Sequence, residues 1–96
     1  MRLIEEIGKS ATLDQAAEKC IELAHACLKL ARYYRNEEVD DKTEEELQDK
    51  LIEEMAAIDF FTAELLEDDD FDILYESCQP EKLHKIIDDY ARMYKS

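Results

Sequence analysis

The 96-residue chain contains one glycine and one proline, so it is poor in the residues that interrupt regular structure. Turns, bulges and tight loops depend on these two residue types. Their scarcity, with a charged fraction of 40%, favours an all-α domain. The single glycine, Gly8, also excludes a P-loop and a dinucleotide-binding glycine motif, because each needs several glycines at fixed spacing.

Basic residues are few as well. The chain has 12 Lys and Arg against 26 Asp and Glu, and its formal net charge is −14. Such a chain repels phosphate backbones, so we expect no direct binding to nucleic acid. The charge suits a soluble acidic surface, and it also suits cation capture or mimicry of a polyanion that blocks a basic partner.

Long apolar runs, a signal peptide and a CxxC pair are all missing from the sequence. We therefore expect a cytoplasmic protein with no membrane association. Three cysteines, Cys20, Cys27 and Cys78, make an odd count. Cys20 and Cys27 lie seven residues apart among Leu23 and Leu30, and this spacing predicts small buried hydrophobic residues.

Apolar periodicity predicts a small bundle of about four helices within one domain, residues 1–96. A short helix ends near residue 9, where Gly8 interrupts it, and a second covers residues 13–35 from a capping box at Thr12. The second helix is apolar over more than half of its circumference, which predicts contacts on two sides. An acidic connector follows over residues 36–42.

The third predicted helix covers residues 43–67 and opens with a capping box at Thr43 and Glu46. Acidic residues then lead to a short helical turn or packed loop, and Pro80 begins the last helix. A domain of this length has a limited core, so we expect a homo-oligomer, a dimer or a tetramer, to complete it.

Glu54 lies where the third helix should be apolar. It falls three residues after Leu51 and four before Ile58, in the middle of a stripe that also contains Leu47, Phe61 and Leu65. A lone buried carboxylate is unfavourable unless it is paired, protonated or bound to a metal. Glu54 therefore marks a candidate site.

Two segments, EKCIELAHACLKLA at 18–31 and LIEEMAAIDFF at 51–61, resemble the MazG-like family of all-helical nucleoside triphosphate pyrophosphohydrolases. The likeness is to the small members found in phages and bacteria. It implies a short first helix, two long central helices that carry the motif, and a closing helix with basic and aromatic residues.

The resemblance also implies a metal site. Active members carry EExxE on one helix and ExxD on the next, and carboxylates at i and i+3 share a helix face where they hold magnesium together. The ions grip a triphosphate and activate water. The expected products are a nucleoside monophosphate and pyrophosphate.

On the second helix the motif is altered. Glu18 and Glu22 match its first and last glutamates, but Lys19 stands where the second should be. By periodicity Glu22 lies on the polar stripe, so a solvated Glu22 is as consistent with the pattern as a metal ligand.

On the third helix Glu53 and Glu54 match the glutamates, and Ala57 replaces the aspartate. Asp59 is displaced by roughly 200° around the helix and cannot substitute. We therefore hypothesise that Lys19, as a substitute for the metal, pairs with Glu54 and also with Glu22. The alternative is that Glu54 reaches solvent or caps a backbone group.

Two other patterns have simpler explanations. The ExxH pairs at Glu22–His25 and Glu81–His84 fit a di-iron bundle, but surface histidines explain them as well. Asp68, Asp70 and Asp72 start like an EF-hand, yet Ile73 and Gln79 stand where the loop needs glycine and glutamate. The acidic run, which also includes Asp69, is then a solvated helix end or a contact for a basic partner.

Three functions follow from the sequence. The first is a MazG-like protein that has lost catalysis and acts by binding or oligomerisation. The second is an active magnesium-dependent pyrophosphohydrolase with a nucleotide ligand and a shifted ligand set drawn from Glu18, Glu22, Glu53, Glu54 and Asp59. The third is an acidic, phage-encoded inhibitor that occupies a basic site on a host protein.

Overall fold

The structure is a computed structural model that describes residues 2–37 and 41–95. Across those residues it contains four helices and no strand, which confirms the all-α prediction. The helices are α1 (Leu3–Tyr34), α2 (Glu44–Leu65), α3 (Asp68–Ser77) and α4 (Pro80–Lys95). The predicted connector lies outside the described residues at positions 38–40, as does position 1 of the first predicted helix.

The chain separates into two compact units. The first ends at Leu65 and contains α1 and α2, and the second begins at Leu66 and contains α3 and α4. The assignment of residues 1–96 to a single domain stays a prediction.

One element, α1, replaces the two helices predicted before residue 35. Gly8 interrupts it for a single residue, with φ 87° and ψ 167°. The predicted helix cap at Thr12 is wrong, because Thr12 lies inside α1 and is fully buried. Its hydroxyl Oγ1 donates a hydrogen bond of 2.7 Å to the Gly8 carbonyl. The kink is thus held by a side chain one turn later.

Both ends of the α1–α2 connection are capped. The Glu37 N–H donates to the Arg32 carbonyl at 2.9 Å and the Asn36 N–H to the Tyr33 carbonyl at 3.0 Å. With Asn36 at φ 62°, this is a left-handed helix ending, which asparagine tolerates. The predicted cap at Thr43 is supported, since its Oγ1 accepts the Glu46 N–H at 3.2 Å.

Helices α1 and α2 pack as an antiparallel hairpin. Leu30 near the end of α1 and Leu47 near the start of α2 form one buried cluster, with Leu51 against it. Ala26 and Phe61 are buried as well. The core is therefore a narrow seam between two helices, and burial on this seam decides which polar side chains are enclosed.

The far end of the hairpin is closed by Glu64. Its Oε1 accepts the Leu3 N–H at 3.0 Å and its Oε2 accepts the Ile4 N–H at 3.3 Å. The guanidinium of Arg2 donates to the Glu64 backbone carbonyl. First-turn N–H groups have no partner within their own helix, so Glu64 caps α1 from α2.

Helix α2 ends at Leu65, close to the predicted boundary near Glu67. In the second unit, the acidic run begins the ten-residue helix α3, where a short helical turn or packed loop was predicted. The Glu67 N–H donates to Asp70 Oδ2 at 2.9 Å, and carboxylates at a helix start favour the helix dipole. Pro80 begins α4 as predicted. No described side chain of α3 or α4 is buried.

The two cysteines predicted to be buried are exposed. Cys20 and Cys27 lie on α1 away from the seam formed by Thr12, Ala26 and Leu30. The apolar pattern of α1 has two sides, and α2 covers one of them. Among the described residues, no helix combines the length and the apolar character needed to cross a membrane.

Candidate functional site

Glu54 is enclosed in the seam between α1 and α2, as the periodicity predicts. Its relative exposure is 1%, the lowest of any charged residue described. It points from α2 into the same seam as Leu47 and Phe61. An ionised carboxylate at this depth needs a nearby cation or hydrogen-bond donors.

The cation is Lys50, one helical turn earlier on α2. Its Nζ lies 2.9 Å from Glu54 Oε1, and the lysine side chain remains 55% exposed. The hydrogen bond to Glu54 raises the pKa of Lys50, and the negative charge of Glu53 adds to this effect. Glu54 Oε2 is buried and has no hydrogen-bond partner in the described structure.

A second ion pair lies across the seam on α1. Lys19 Nζ is 2.9 Å from Glu22 Oε2. The hydrogen bond to Glu22 raises the pKa of Lys19, and the charge of Glu54 contributes further. The hydrogen bond from Lys19 and the positive charge of that lysine lower the pKa of Glu22.

These four side chains form one group, which we call the ion-pair cluster: Lys19, Glu22, Lys50 and Glu54. Two ammonium groups balance two carboxylates, so its formal charge is zero. Each carboxylate is bound by the lysine of its own helix, and the two pairs face each other across the seam.

The hypothesis of a Lys19–Glu54 pair is only partly right. The negative charge of Glu54 contributes to the raised pKa of Lys19. The direct partner of Lys19 is nevertheless Glu22, and the direct partner of Glu54 is Lys50. Sequence reasoning missed Lys50. The signal was present, since lysine and glutamate four residues apart on a helix are neighbours.

Of the other candidate ligands, Glu18 and Asp59 lie outside this cluster and Glu53 borders it. Glu18 is exposed on α1, and Asp59 is exposed on α2. The Glu53 side chain is 70% exposed and lies 3.8 Å from Lys50 Nζ. His25 and His84, of the ExxH pairs, are both exposed. The described ranges contain no group of three or more His, Cys, Asp or Glu side chains arranged to hold a metal ion.

Magnesium does not fit the arrangement of these residues. The ion prefers octahedral oxygen coordination, usually with one or two carboxylates and several waters. Here each of the two central carboxylates has an ammonium nitrogen at 2.9 Å. A divalent cation would have to displace both lysines and bind beside their positive charges, which Coulomb repulsion opposes.

A groove of about 530 Å³ opens beside the cluster, on the hairpin surface that Lys50 borders. Among the described residues its charged lining is balanced, with three lysines and three acids: Lys29, Lys42, Lys50, Glu46, Asp49 and Glu53. A triphosphate carries several negative charges and is favoured by a surplus of cations or by bound metal. The described part of the lining has no such surplus of positive charge.

The acidic residues at the start of α3 have a structural use. Asp70 accepts the Glu67 N–H, while Asp68, Asp69 and Asp72 are exposed around the first turns of the helix. This placement satisfies and stabilises a helix N-terminus.

Comparison of the chain with protein-family models, curated proteins and solved structures finds no match.

Proposed function

We propose that this chain is a MazG-like helical protein that has lost nucleotide hydrolysis and acts by binding or association. The observation that carries the proposal is the occupancy of the central carboxylates by lysine ammonium groups. Lys50 Nζ lies 2.9 Å from Glu54, and Lys19 Nζ lies 2.9 Å from Glu22. The positive charges beside these carboxylates therefore come from lysine side chains of the protein itself.

The chemistry of the reaction explains why this arrangement opposes catalysis. Phosphoanhydride hydrolysis needs a positive charge that binds the phosphate oxygens and also activates a water. A lysine ammonium can bind an oxygen, but it does not lower the pKa of a bound water as a divalent metal does. Lys19 and Lys50 are also engaged by carboxylates. Ala57 offers no further ligand.

Pyrophosphate release is the first test. The purified chain is incubated with a panel of nucleoside triphosphates and magnesium, and released pyrophosphate is measured. We expect no turnover above the protein-free control. Release that disappears in Glu54→Gln and persists in Glu6→Gln, an exposed control on α1 outside the candidate ligands, would support the active enzyme and contradict the proposal.

The acidic inhibitor has less support. Its candidate contact residues at the start of α3 are accounted for by helix stabilisation. A basic host protein that binds the chain in a salt-sensitive manner, and loses binding when Asp68, Asp69 and Asp72 are neutralised, would favour this alternative.

A further inference from the structure

Helix α1, with its C-cap residue Arg35, presents a second exposed face beside the seam with α2, which we call the outer face. At its C-terminal end this face meets α2, where the Tyr34 hydroxyl donates to Glu44 Oε1 at 2.7 Å. The outer face consists of two adjacent rows whose members alternate four and three residues apart, almost all of them exposed. The first row is Leu13, Ala17, Cys20, Ala24, Cys27, Ala31 and Tyr34. The second row is Asp14, Glu18, Ile21, His25, Leu28, Arg32 and Arg35.

The outer face has the pattern of a helix–helix interface. Alternation of four and three residues is the spacing by which one helix packs along another in a coiled coil. Its four largest apolar members, Leu13, Ile21, Leu28 and Tyr34, are 54–59% exposed. The first row is apolar over its whole length and almost all exposed, and an exposed apolar row of this kind marks a contact site.

Side-chain size along the first row varies symmetrically. Large residues, Leu13 and Tyr34, stand at its two ends, and only alanine and cysteine lie between them. Small side chains allow two helix backbones to approach closely. Reversing the direction of the row leaves the order of sizes unchanged, so the face is complementary to its own antiparallel copy.

Charge along the second row specifies direction. Its first two members, Asp14 and Glu18, are acidic, and its last two, Arg32 and Arg35, are basic. Antiparallel pairing of two copies places acid opposite base at both ends and Ile21 opposite Leu28 in the middle. Parallel pairing about a two-fold axis along the helices would put the two second rows on opposite sides of the contact, so these complementary charges would not meet.

We propose that the outer face of α1 binds the same face of a second copy, antiparallel, about a two-fold axis beside Ala24. The first row extends from Leu13 to Tyr34, so only an axis at its midpoint covers the whole row. This register places Cys20 of one copy opposite Cys27 of the other. An isologous contact of this type closes as a dimer.

The dimer deepens the proposed function and rests on it, because it names the association that replaces catalysis. The two can fail separately. Pyrophosphate release reports on the ion-pair cluster, which lies on the seam with α2, whereas thiol cross-linking reports on the outer face.

Cysteine cross-linking tests the register. In a Cys78→Ser background, one variant carries Cys20→Ser and another carries Cys27→Ser, so each chain has one thiol on the outer face. In antiparallel pairing, identical cysteines are separated by seven residues along the axis, about 10 Å. A disulfide needs Cα atoms within about 7 Å.

We expect mild oxidation to cross-link neither variant alone and to cross-link their mixture, with mass spectrometry identifying a Cys20–Cys27 disulfide. Cross-linking of each variant by itself would show parallel pairing in register, with identical residues opposite each other, and would overturn the proposal. A chain that sediments as a monomer at tens of micromolar, with no cross-link in the mixture, would also overturn it.

Charge reversal gives an independent readout that does not use the cysteines. Asp14→Arg with Glu18→Arg makes both ends of the second row basic, and Arg32→Glu with Arg35→Glu makes both acidic. Each variant alone should dimerise roughly tenfold more weakly, and a mixture of the two should form a heterodimer. Unchanged dimerisation of both variants would contradict the antiparallel contact.

Discussion

Two buried glutamates of α2, Glu54 and Glu64, have different partners. Glu54 is bound by a lysine one turn away and retains one oxygen without a partner. Glu64 accepts two backbone N–H groups from the first turn of α1. The first holds a charge within the seam, and the second joins the ends of the hairpin. Their substitution should therefore have different consequences.

Replacing Glu54 by leucine should leave the fold intact. Leucine fits an apolar seam, and Lys50, which is 55% exposed, stays in contact with water and Glu53. We expect Glu54→Leu to leave the free energy of unfolding unchanged or to raise it by about 1 kcal/mol. Urea denaturation measures this change, with the exposed Glu53→Leu as the control. A loss of about 3 kcal/mol would mean that Glu54 is required for the fold.

The pH dependence of stability should report on Glu64. Backbone hydrogen bonds from Leu3 and Ile4, with the charge of Arg2, lower the pKa of Glu64 despite the opposing effect of burial. A carboxyl whose pKa is lower in the folded state stabilises the fold above its unfolded pKa, near 4.3. That contribution disappears as the pH falls through the folded pKa.

We therefore expect Glu64→Gln to melt several degrees below the unsubstituted chain at pH 7. The difference should shrink as the pH falls from about 5 to 3. Thermal melts monitored by circular dichroism give the comparison, and Glu18→Gln serves as an exposed control. Melting curves that differ equally at every pH would refute the assigned role.

At the residue scale, the sequence identified Glu54 but not its partner. Periodicity locates a carboxylate on an apolar face because a helix has a fixed repeat. It does not choose between Lys19 on the opposite helix and Lys50 on the same one, since rotamers and the rotation of α1 against α2 decide that. The role of Glu64 was missed because a cap supplied from another helix leaves no local pattern.

At the scale of elements, Gly8 controls the course of α1. Its φ of 87° and ψ of 167° belong to a region that side chains with a Cβ rarely adopt, although a Cβ there would meet open space. A substitution at Gly8 therefore destabilises the fold through backbone strain and not through a steric clash with neighbouring residues. Thr12 binds the Gly8 carbonyl and holds the kink in place.

Gly8→Ala should lower the free energy of unfolding by about 1–3 kcal/mol. Chemical denaturation measures it, with Ser10→Ala, in the helical and exposed part of α1, as the control. The sign of the change is decisive. If Gly8 were in ordinary helical geometry, alanine would instead stabilise α1 by up to about 1 kcal/mol.

Element boundaries were predictable where local chemistry sets them. The Thr43 cap and the start of α4 at Pro80 follow from side chains within the same turn. The course of α1 across Gly8 was not predictable, because a glycine can end a helix or interrupt it for one residue. The acidic run was assigned to the end of one helix, since its negative charge does not show which neighbouring segment is helical.

At the scale of the whole molecule, the net charge and the helical content can be predicted from the amino-acid composition. Which side chains are buried cannot be predicted in this way. The apolar pattern of α1 indicated two contact sides, but only one is covered by α2, so Cys20 and Cys27 are exposed. A pattern shows that a surface is apolar and leaves open what covers it. The second copy proposed for the outer face answers that question with a specific register.

We propose that lysines stand around Glu54 where active MazG-like proteins would bind magnesium. Magnesium titration by calorimetry compares the unsubstituted chain with the restored variant, Lys19→Glu with Ala57→Asp, which has carboxylates at both positions where the MazG-like motif has them. A matched control carries Lys19→Glu with Ala56→Asp, because Ala56 is exposed on α2. We predict no binding to the unsubstituted chain or to the control, and binding to the restored variant. Magnesium binding to the unsubstituted chain that is lost in Glu54→Gln would contradict the claim.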